Sequence, residues 1–457
     1  MMEFQIINPA NGEVLDSLPC DDASTIAAKY DRARAAQRRW AQTPLSERLA
    51  LMAKFRQRVI AQQDELAQLL SREVGKPLKQ AHNEINGFLG RFDFFVAQVE
   101  GVLADETVFD ADGMREVISH EPLGVIANIS AWNYPWLVGC NVFIPALLAG
   151  NAVLYKPSEL ASLTGRAIDR LFAEAGLPED VFMPVYGAGD TGAALLQMPI
   201  DGVFFTGSYG TGRRIAETVA GRMIPVGLEL GGKDPLYVCQ DAEVSTAAAN
   251  AADGAFYNNG QSCCAVERIY VHQAIYADFV AAFVKTVEGF VLGDPLAKDC
   301  YIGALTRREL QINTLEAQVA DAVAKGSSLL CGGSRIDRPG WYFAPTVLAD
   351  VDHTMAVMRE ESFGPIIGIQ SVADDDEAIA LMNDSDYGLT SSVTTPDRER
   401  ARRILAQMNT GTVYWNCCDR VSPRLPWSGR GHSGMGSTLS TYGILSFVRP
   451  KAWHWRD

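Results

Sequence analysis

The sequence predicts an α/β protein built on two mainly parallel sheets, and three observations lead there. Its 457 residues, 47% of them apolar, exceed what one hydrophobic core organises and suit two or three domains. From Val125 to Gly207 short apolar runs alternate with helical segments, the order of βαβ units. After Ala242 the same alternation begins again, with no repeat, low-complexity tract or long linker between the blocks. The two blocks should share an interface, and the cleft between them is the place for a ligand.

Each element has its own signal. Between Ser24 and about Ala104, LALMAKFRQRVIAQQDELAQLLSREV and NEINGFLGRFDFFVAQV carry apolar residues at three and four spacing, the mark of amphipathic helices. GMREVISHEPLGVIANI alternates and then turns continuously apolar, as an exposed hairpin strand leading into a buried one would. Next come the strand VIANIS, a helix over VGCNVFIPALLAG, the strand NAVLYK, the helix LTGRAIDRLFAEAG and the strands VFMPVYG and GVFFTG. The second block reads as a helix over VSTAAANAADGAFYN, the strand RIYVH, the helix IYADFVAAFVKTVEGF and the strands YFAPTVLAD and IIGIQSV.

Composition excludes several classes of function. Forty Lys and Arg against 55 Asp and Glu give a net charge of −15, which disfavours nucleic acid or an anionic membrane as partner. No run approaches the ~20 apolar residues of a membrane span, and MMEFQIINPANGEV has no basic segment followed by an apolar one, so a cytoplasmic protein is expected. Nine Cys, an odd and scattered set, point to reduced thiols rather than a disulfide framework. The six His stand alone and no Cys-x-x-Cys or His-x-x-x-His occurs, so no metal site is expected.

Three stretches could carry chemistry. In LELGGKDP, Glu229 sits in a short apolar strand before two Gly; desolvation there would raise its pKa toward the range of a general base, although pairing with Lys233 or capping a turn is equally open. In ISAWNYPW, Asn133 ends an apolar strand and offers an amide N–H to an oxyanion, or simply forms a turn. In FYNNGQSCCAVERIYV, adjacent Cys263 and Cys264 are badly placed to bridge each other, leaving burial or nucleophilic work for each. YKPSE follows one βα unit after Asn133, and GSYGTG, Gly207 to Gly212, lies between a strand and a helix where free N–H groups attract phosphate.

Taken together, Asn133, Lys156, Glu159, the Gly207–Ser208 turn, Glu229 in LELGGK, Cys263 in GQSC and the EESFGP stretch around Glu361 and Phe363 occur in the order and near the spacing of one family. The chain resembles the aldehyde dehydrogenase superfamily over essentially its whole length. The resemblance implies a Rossmann-like parallel-sheet cofactor domain of residues 1–104 and 123–230, a second α/β catalytic domain of residues 231–432, and a small β oligomerisation extension from 105–122 and 433–457. It implies NAD as cofactor, with NADP possible, and assembly into a homodimer or homotetramer by strand exchange.

By the same resemblance Cys263 is the nucleophile, with Cys264 a pocket or packing neighbour. Asn133 and the Cys263 N–H form the oxyanion hole, and Glu229 activates water for deacylation. Lys156 and Glu159 touch the adenosine ribose, Ser208 the pyrophosphate, and Glu361 with Phe363 the nicotinamide ribose and ring. Glu229 argues against the branch that acylates coenzyme A, and the complete set of Cys263, Glu229 and Asn133 argues against a non-catalytic cofactor-binding relative.

The substrate tunnel is expected from Tyr134, Leu137, Val138, Ser262, Cys264, Val421 and Trp427, a largely apolar wall that suits a medium- or long-chain aliphatic aldehyde. An acidic semialdehyde is the alternative, should Arg420 or Arg424 turn inward. One departure from the family text stands out: where many members carry a carboxylate near the end of the terminal Gly motif, this chain has Ser440 and Thr441.

Overall fold

The computed structural model describes residues 3–456. Its first sheet has the spatial order Gly434–Met435, Val226–Glu229, Gly202–Thr206, Val125–Ile129, Ala152–Lys156, Phe182–Pro184, parallel throughout except for the Gly434–Met435 edge. Val125–Ile129 and Ala152–Lys156 are buried at every position. Such continuous apolar strands need cover on both faces. The helices Leu45–Ala61, Leu78–Leu103, Pro135–Leu148 and Ser162–Ala175 build a core on one face, while Ala23–Trp40 and Tyr209–Val219 build one on the other.

The second sheet runs Ser328–Cys331, Thr346–Ala349, Ile366–Val372, Val266–His272, Asp234–Val238, Thr390–Thr394, Thr412–Trp415, antiparallel only at its Ser328–Cys331 edge. A third, antiparallel sheet joins Glu106–Ala111, Met114–Pro122 and Val448–Arg456, with every residue of Glu106–Ala111 exposed. Thus the α/β reading holds, with two parallel-sheet blocks and a small β extension.

Several elements escaped the sequence reading, among them the strands Asp234–Val238, Thr390–Thr394 and Thr412–Trp415 of the second sheet, the helix Glu309–Ala324 and an N-terminal hairpin. Glu3–Ile7 pairs with Val14–Pro19 as an antiparallel hairpin, and Ile6 and Leu18 pack with Leu163 in a small core of their own. Its signal was Asn11-Gly12 between two short alternating runs; Gly12 takes φ +80, which suits a turn there.

The region that will hold the site is fixed by a buried ion pair. Lys76 and Glu84 are both sealed from solvent, and the Lys76 ammonium donates to Glu84 Oε2 and, at 2.8 Å, to the carbonyl of Asn133. Glu84 Oε1 accepts from the Trp136 N–H at 2.9 Å, satisfying a free donor in the first turn of Pro135–Leu148. The Lys76 ammonium also lies 3.8 Å from the centre of the Tyr134 ring. Removing one partner strands the other charge in a dry interior, which typically costs about 3–5 kcal/mol. Lys76→Met should therefore lower stability by about that much, and Lys76→Met with Glu84→Leu should recover a good part of it, as read by denaturant unfolding.

Candidate active site

The carboxyl ends of the first sheet open into a cleft of about 700 Å³. The chain leaves Val125–Ile129 for Ala152–Lys156 on one side and returns to Gly202–Thr206 on the other, so the cleft sits where strand order reverses, the usual place for a ligand in an open parallel sheet. Its wall includes Asn133, Lys156, Glu159, Gly207, Ser208, Cys263, Glu361 and Phe363. These motif residues therefore line one cleft, although they span about half of the chain; Glu229 is not among its lining residues, which include the following Leu230 and Gly231.

The Cys263 loop owes its shape to a tight reversal. After the helix Val244–Phe256, Asn258 and Asn259 take φ of 55 and 60 and Gly260 takes φ +70. A Cβ at Gly260 would collide with the Gly364 carbonyl, so the loop packs directly on the EESFGP stretch. A Cβ at Gly232 would lie 2.6 Å from the Cys263 carbonyl, and one at Gly231 would strike the Glu361 carboxylate. The paired Gly after Glu229 let that strand end pass between thiol loop and Glu361.

Cys263 is half-buried at the inner end of the cleft, and among the described residues no backbone carbonyl accepts from its N–H. The Asn133 amide donates to Gln261 O at 3.2 Å, and its own carbonyl is held by Lys76 and, at 3.1 Å, by the Asn258 amide. Asn133 is thus tied to the thiol loop at both its side chain and its backbone. Cys264 is different: it is 4% exposed, its thiol donates to Asp419 at 2.9 Å, and its hydrogen bond with the Cys263 thiol, then burial, then the Asp419 charge hold it well above the ordinary thiol range. All nine thiols are free.

Glu229 ends its strand with Oε1 accepting from the Thr438 hydroxyl at 3.1 Å and Oε2 buried with no partner. Burial pushes its carboxyl up to about 8. The hydroxyl that meets this carboxylate belongs to Thr438, a residue the sequence reading did not single out; Thr438 is held there by backbone bonds to Trp427 in both directions. Glu361 accepts from the Gly232 N–H at 3.0 Å and is likewise raised to about 8, by burial first and then by Glu267.

The cleft fits a dinucleotide. Ser208 precedes the helix Tyr209–Val219 without capping it, leaving first-turn N–H groups for phosphate. Lys156 reaches only Pro157 O at 3.3 Å and Glu159 at 3.9 Å, so its ammonium keeps donors to spare, and the buried Ser130 hydroxyl on the same wall has no partner. The Trp132 and Phe363 rings meet edge-on at 5.4 Å beside Cys263. Trp132 was not foreseen as a wall residue.

Of the expected tunnel residues, Leu137, Cys264, Val421 and Trp427 share one apolar cluster with Cys263. Ser262 is buried, Val138 half-buried, and the half-buried Tyr134 lies against Lys76. Arg420 is exposed and engaged with Asp253 at 3.4 Å, and Arg424 is exposed. A cation that sequence reasoning missed is Arg91, only 7% exposed, which donates through Nη1 to Leu137 O at 3.2 Å and Asn141 Oδ1 at 2.9 Å. Among the described residues no three metal-ligating side chains cluster, and no helix is long and apolar enough to cross a membrane.

Comparison with known proteins agrees with this geometry. The chain is 35% identical to a succinate-semialdehyde dehydrogenase [NADP(+)] of Deinococcus radiodurans, over 98% of this chain and 94% of that one. It is 34% identical to a chloroplastic betaine aldehyde dehydrogenase of Beta vulgaris, over 98% and 91%. The solved structure of an NAD-dependent aldehyde dehydrogenase from Sinorhizobium meliloti superimposes with a TM-score of 0.96 at 33% identity, over 100% of this chain and 91% of that one. Residues 2–453 match the model of the aldehyde dehydrogenase family, and the chain belongs to that NAD(P)-dependent family.

Proposed function

We propose that the protein oxidises an aldehyde to its carboxylic acid through a thioester on Cys263. The observation that carries this is a half-buried thiol whose N–H no backbone carbonyl accepts among the described residues, in one cleft with Asn133, while the Glu229 carboxylate, buried at the end of a strand of the same sheet, keeps one bare oxygen. The Cys263 thiolate attacks the aldehyde carbon, and the new oxyanion takes hydrogen bonds from the Cys263 N–H and the Asn133 amide. When bound, NAD(P) accepts the hydride released as the C=O reforms. The thioester is then hydrolysed: water gives a proton to Glu229 as its oxygen bonds the acyl carbon, and the thiolate leaves.

Lys156 and Glu159 would hold the adenosine ribose, the Gly207–Ser208 turn the pyrophosphate, and Glu361 and Phe363 the nicotinamide end. Thr438 orients Glu229 in the place of a longer relay. The apolar wall of Leu137, Val421 and Trp427 supports an aliphatic chain, the medium- or long-chain reading, whereas buried Arg91 supports the acidic semialdehyde. The exposed three-stranded sheet, with Val108, Phe109 and Trp455 on its surface, supports assembly as a homodimer or homotetramer.

Three outcomes follow from these assignments. Cys263→Ala should abolish aldehyde oxidation while NAD still binds by fluorescence titration, and Cys264→Ala, whose thiol is turned to Asp419, should keep most of its rate; equal loss in both would overturn the choice of nucleophile. Glu229 must be ionised to act as a base, and its raised pKa means that it becomes so as pH rises through about 8. Thioester hydrolysis should therefore speed up with pH toward that value and level off above it. Glu229→Gln should erase that limb and accumulate acyl-enzyme, visible by intact mass. Finally, Glu159 can accept from a ribose 2′-hydroxyl but repels a 2′-phosphate, while Lys156 attracts one. The expected result is a higher kcat/KM with NAD and measurable use of NADP; a higher value with NADP would refute the role given to Glu159.

A further inference from the structure

Arg91 is a buried cation without a counter-ion. It lies on Leu78–Leu103, one turn beyond Gly87, whose missing side chain makes room for Leu137 of Pro135–Leu148. A guanidinium carries five N–H donors. Here only Nη1 is engaged, by a backbone carbonyl and a neutral amide, and no carboxylate stands within 4 Å among the described residues. The nearby acids are committed elsewhere, Glu84 to Lys76 and the Trp136 N–H, and Glu229 to Thr438. The charge nevertheless sits on the nucleophile's side of the molecule, close enough to act on the thiols of Cys140, Cys263 and Cys264 and on the Glu84 and Glu229 carboxylates.

Structural bonding alone leaves this charge poorly explained. A buried, unpaired guanidinium is costly, and a neutral side chain could fill the same space between two helices. What the position lacks is an anion with two oxygens, the shape a guanidinium fork binds best. We propose that Arg91 is the subsite for the carboxylate of a short aldehyde acid, gripping the far end of the substrate while its aldehyde carbon meets Cys263. The assignment rests on Cys263 as nucleophile. A single cation suits a carboxylate better than a phosphate dianion, and it works against the cationic substrates named for the betaine and aminoaldehyde relatives. The two surface arginines first considered for this task are exposed, one of them paired with Asp253, whereas Arg91 is only 7% exposed and its attraction is less screened.

The test compares kcat/KM for succinate semialdehyde, glutarate semialdehyde, butanal, 4-aminobutanal and glyceraldehyde 3-phosphate in wild type, Arg91→Met and Arg91→Lys. Wild type should favour one of the two acids over butanal by about tenfold or more, and Arg91→Met should cut that ratio by about 30-fold, chiefly through KM, with Arg91→Lys between them. As a measurement that needs no variant, succinate should slow alkylation of Cys263 in the wild-type protein while butyramide at equal concentration does not. The proposal is overturned if butanal, aminobutanal or the phosphate is preferred, if Arg91→Met lowers acid and neutral substrates alike, or if succinate gives no protection. Failure of every aldehyde to react would sink the Cys263 assignment with it; loss of acid preference with butanal still oxidised sinks the Arg91 subsite alone.

Discussion

The site depends on one dry ion pair. Lys76 and Glu84 belong to the helical N-terminal part of the chain, yet between them they hold the Asn133 carbonyl, the Trp136 N–H and the face of the Tyr134 ring. Two charges taken out of water repay their desolvation only when geometry is good and the remaining donors and acceptors are used. Here they are used on one segment, the turn between Val125–Ile129 and Pro135–Leu148. That turn in turn reaches Asn258 and Gln261, so the oxyanion amide and the thiol loop are positioned from the same anchor. Electrostatic stabilisation of a developing oxyanion requires donors that need not reorganise during reaction. The buried pair supplies that rigidity across the boundary between the two parallel-sheet blocks.

The same dryness sets the proton inventory. Glu229 and Glu361 are both raised to about 8, mainly because a carboxylate is poorly solvated there, and each keeps only one or two donors against that loss. A carboxyl that is neutral while the cleft is closed to water costs little to bury, and it becomes a base only where water or another donor reaches it. Glu229 has one oxygen committed and one bare, so a water that reached it would have no existing bond at that oxygen to displace. Thr438, a hydroxyl rather than a carboxylate, orients Glu229 without adding a like charge that would push its pKa further up.

How much of this was legible follows from how each part is built. The nucleophile loop, the Asn turn and the Glu strand end were readable because each needs particular residues in a short span: Gly260 and Gly232 where a Cβ would collide, Asn258 and Asn259 at positive φ, Cys263 between them. The βα alternation was readable because strands buried on both faces are continuously apolar. Lys76, Glu84, Thr438 and Arg91 were not readable, since each lies in ordinary helical or loop text and gains its meaning only from a partner far along the chain. Thr438 stands three residues after a strand pairing that no local pattern announces, and the sequence reading gave it no role. The hairpin Glu3–Ile7 with Val14–Pro19 was missed for a different reason, its Asn-Gly turn being flanked by runs too short to stand out.

This division between local and distant determinants has a physical basis in what each half of the chemistry requires. Bond making at Cys263 is the same for any aldehyde, so its parts can be fixed on turns at strand ends whose backbone geometry dictates their residues. With the Arg91 subsite proposed above, substrate choice would be made on the facing sides of Leu78–Leu103 and Pro135–Leu148, where a helix tolerates many side chains and only their burial and charge matter. Gly87 and Arg91 illustrate how little sequence that takes: one vacates space for Leu137, and the other, a turn away, buries a charge beside an otherwise apolar cluster. Because a charge in a low-dielectric wall acts more strongly than a methylene or two of added apolar contact, the single position we propose would outweigh the hydrophobic character of the residues around it.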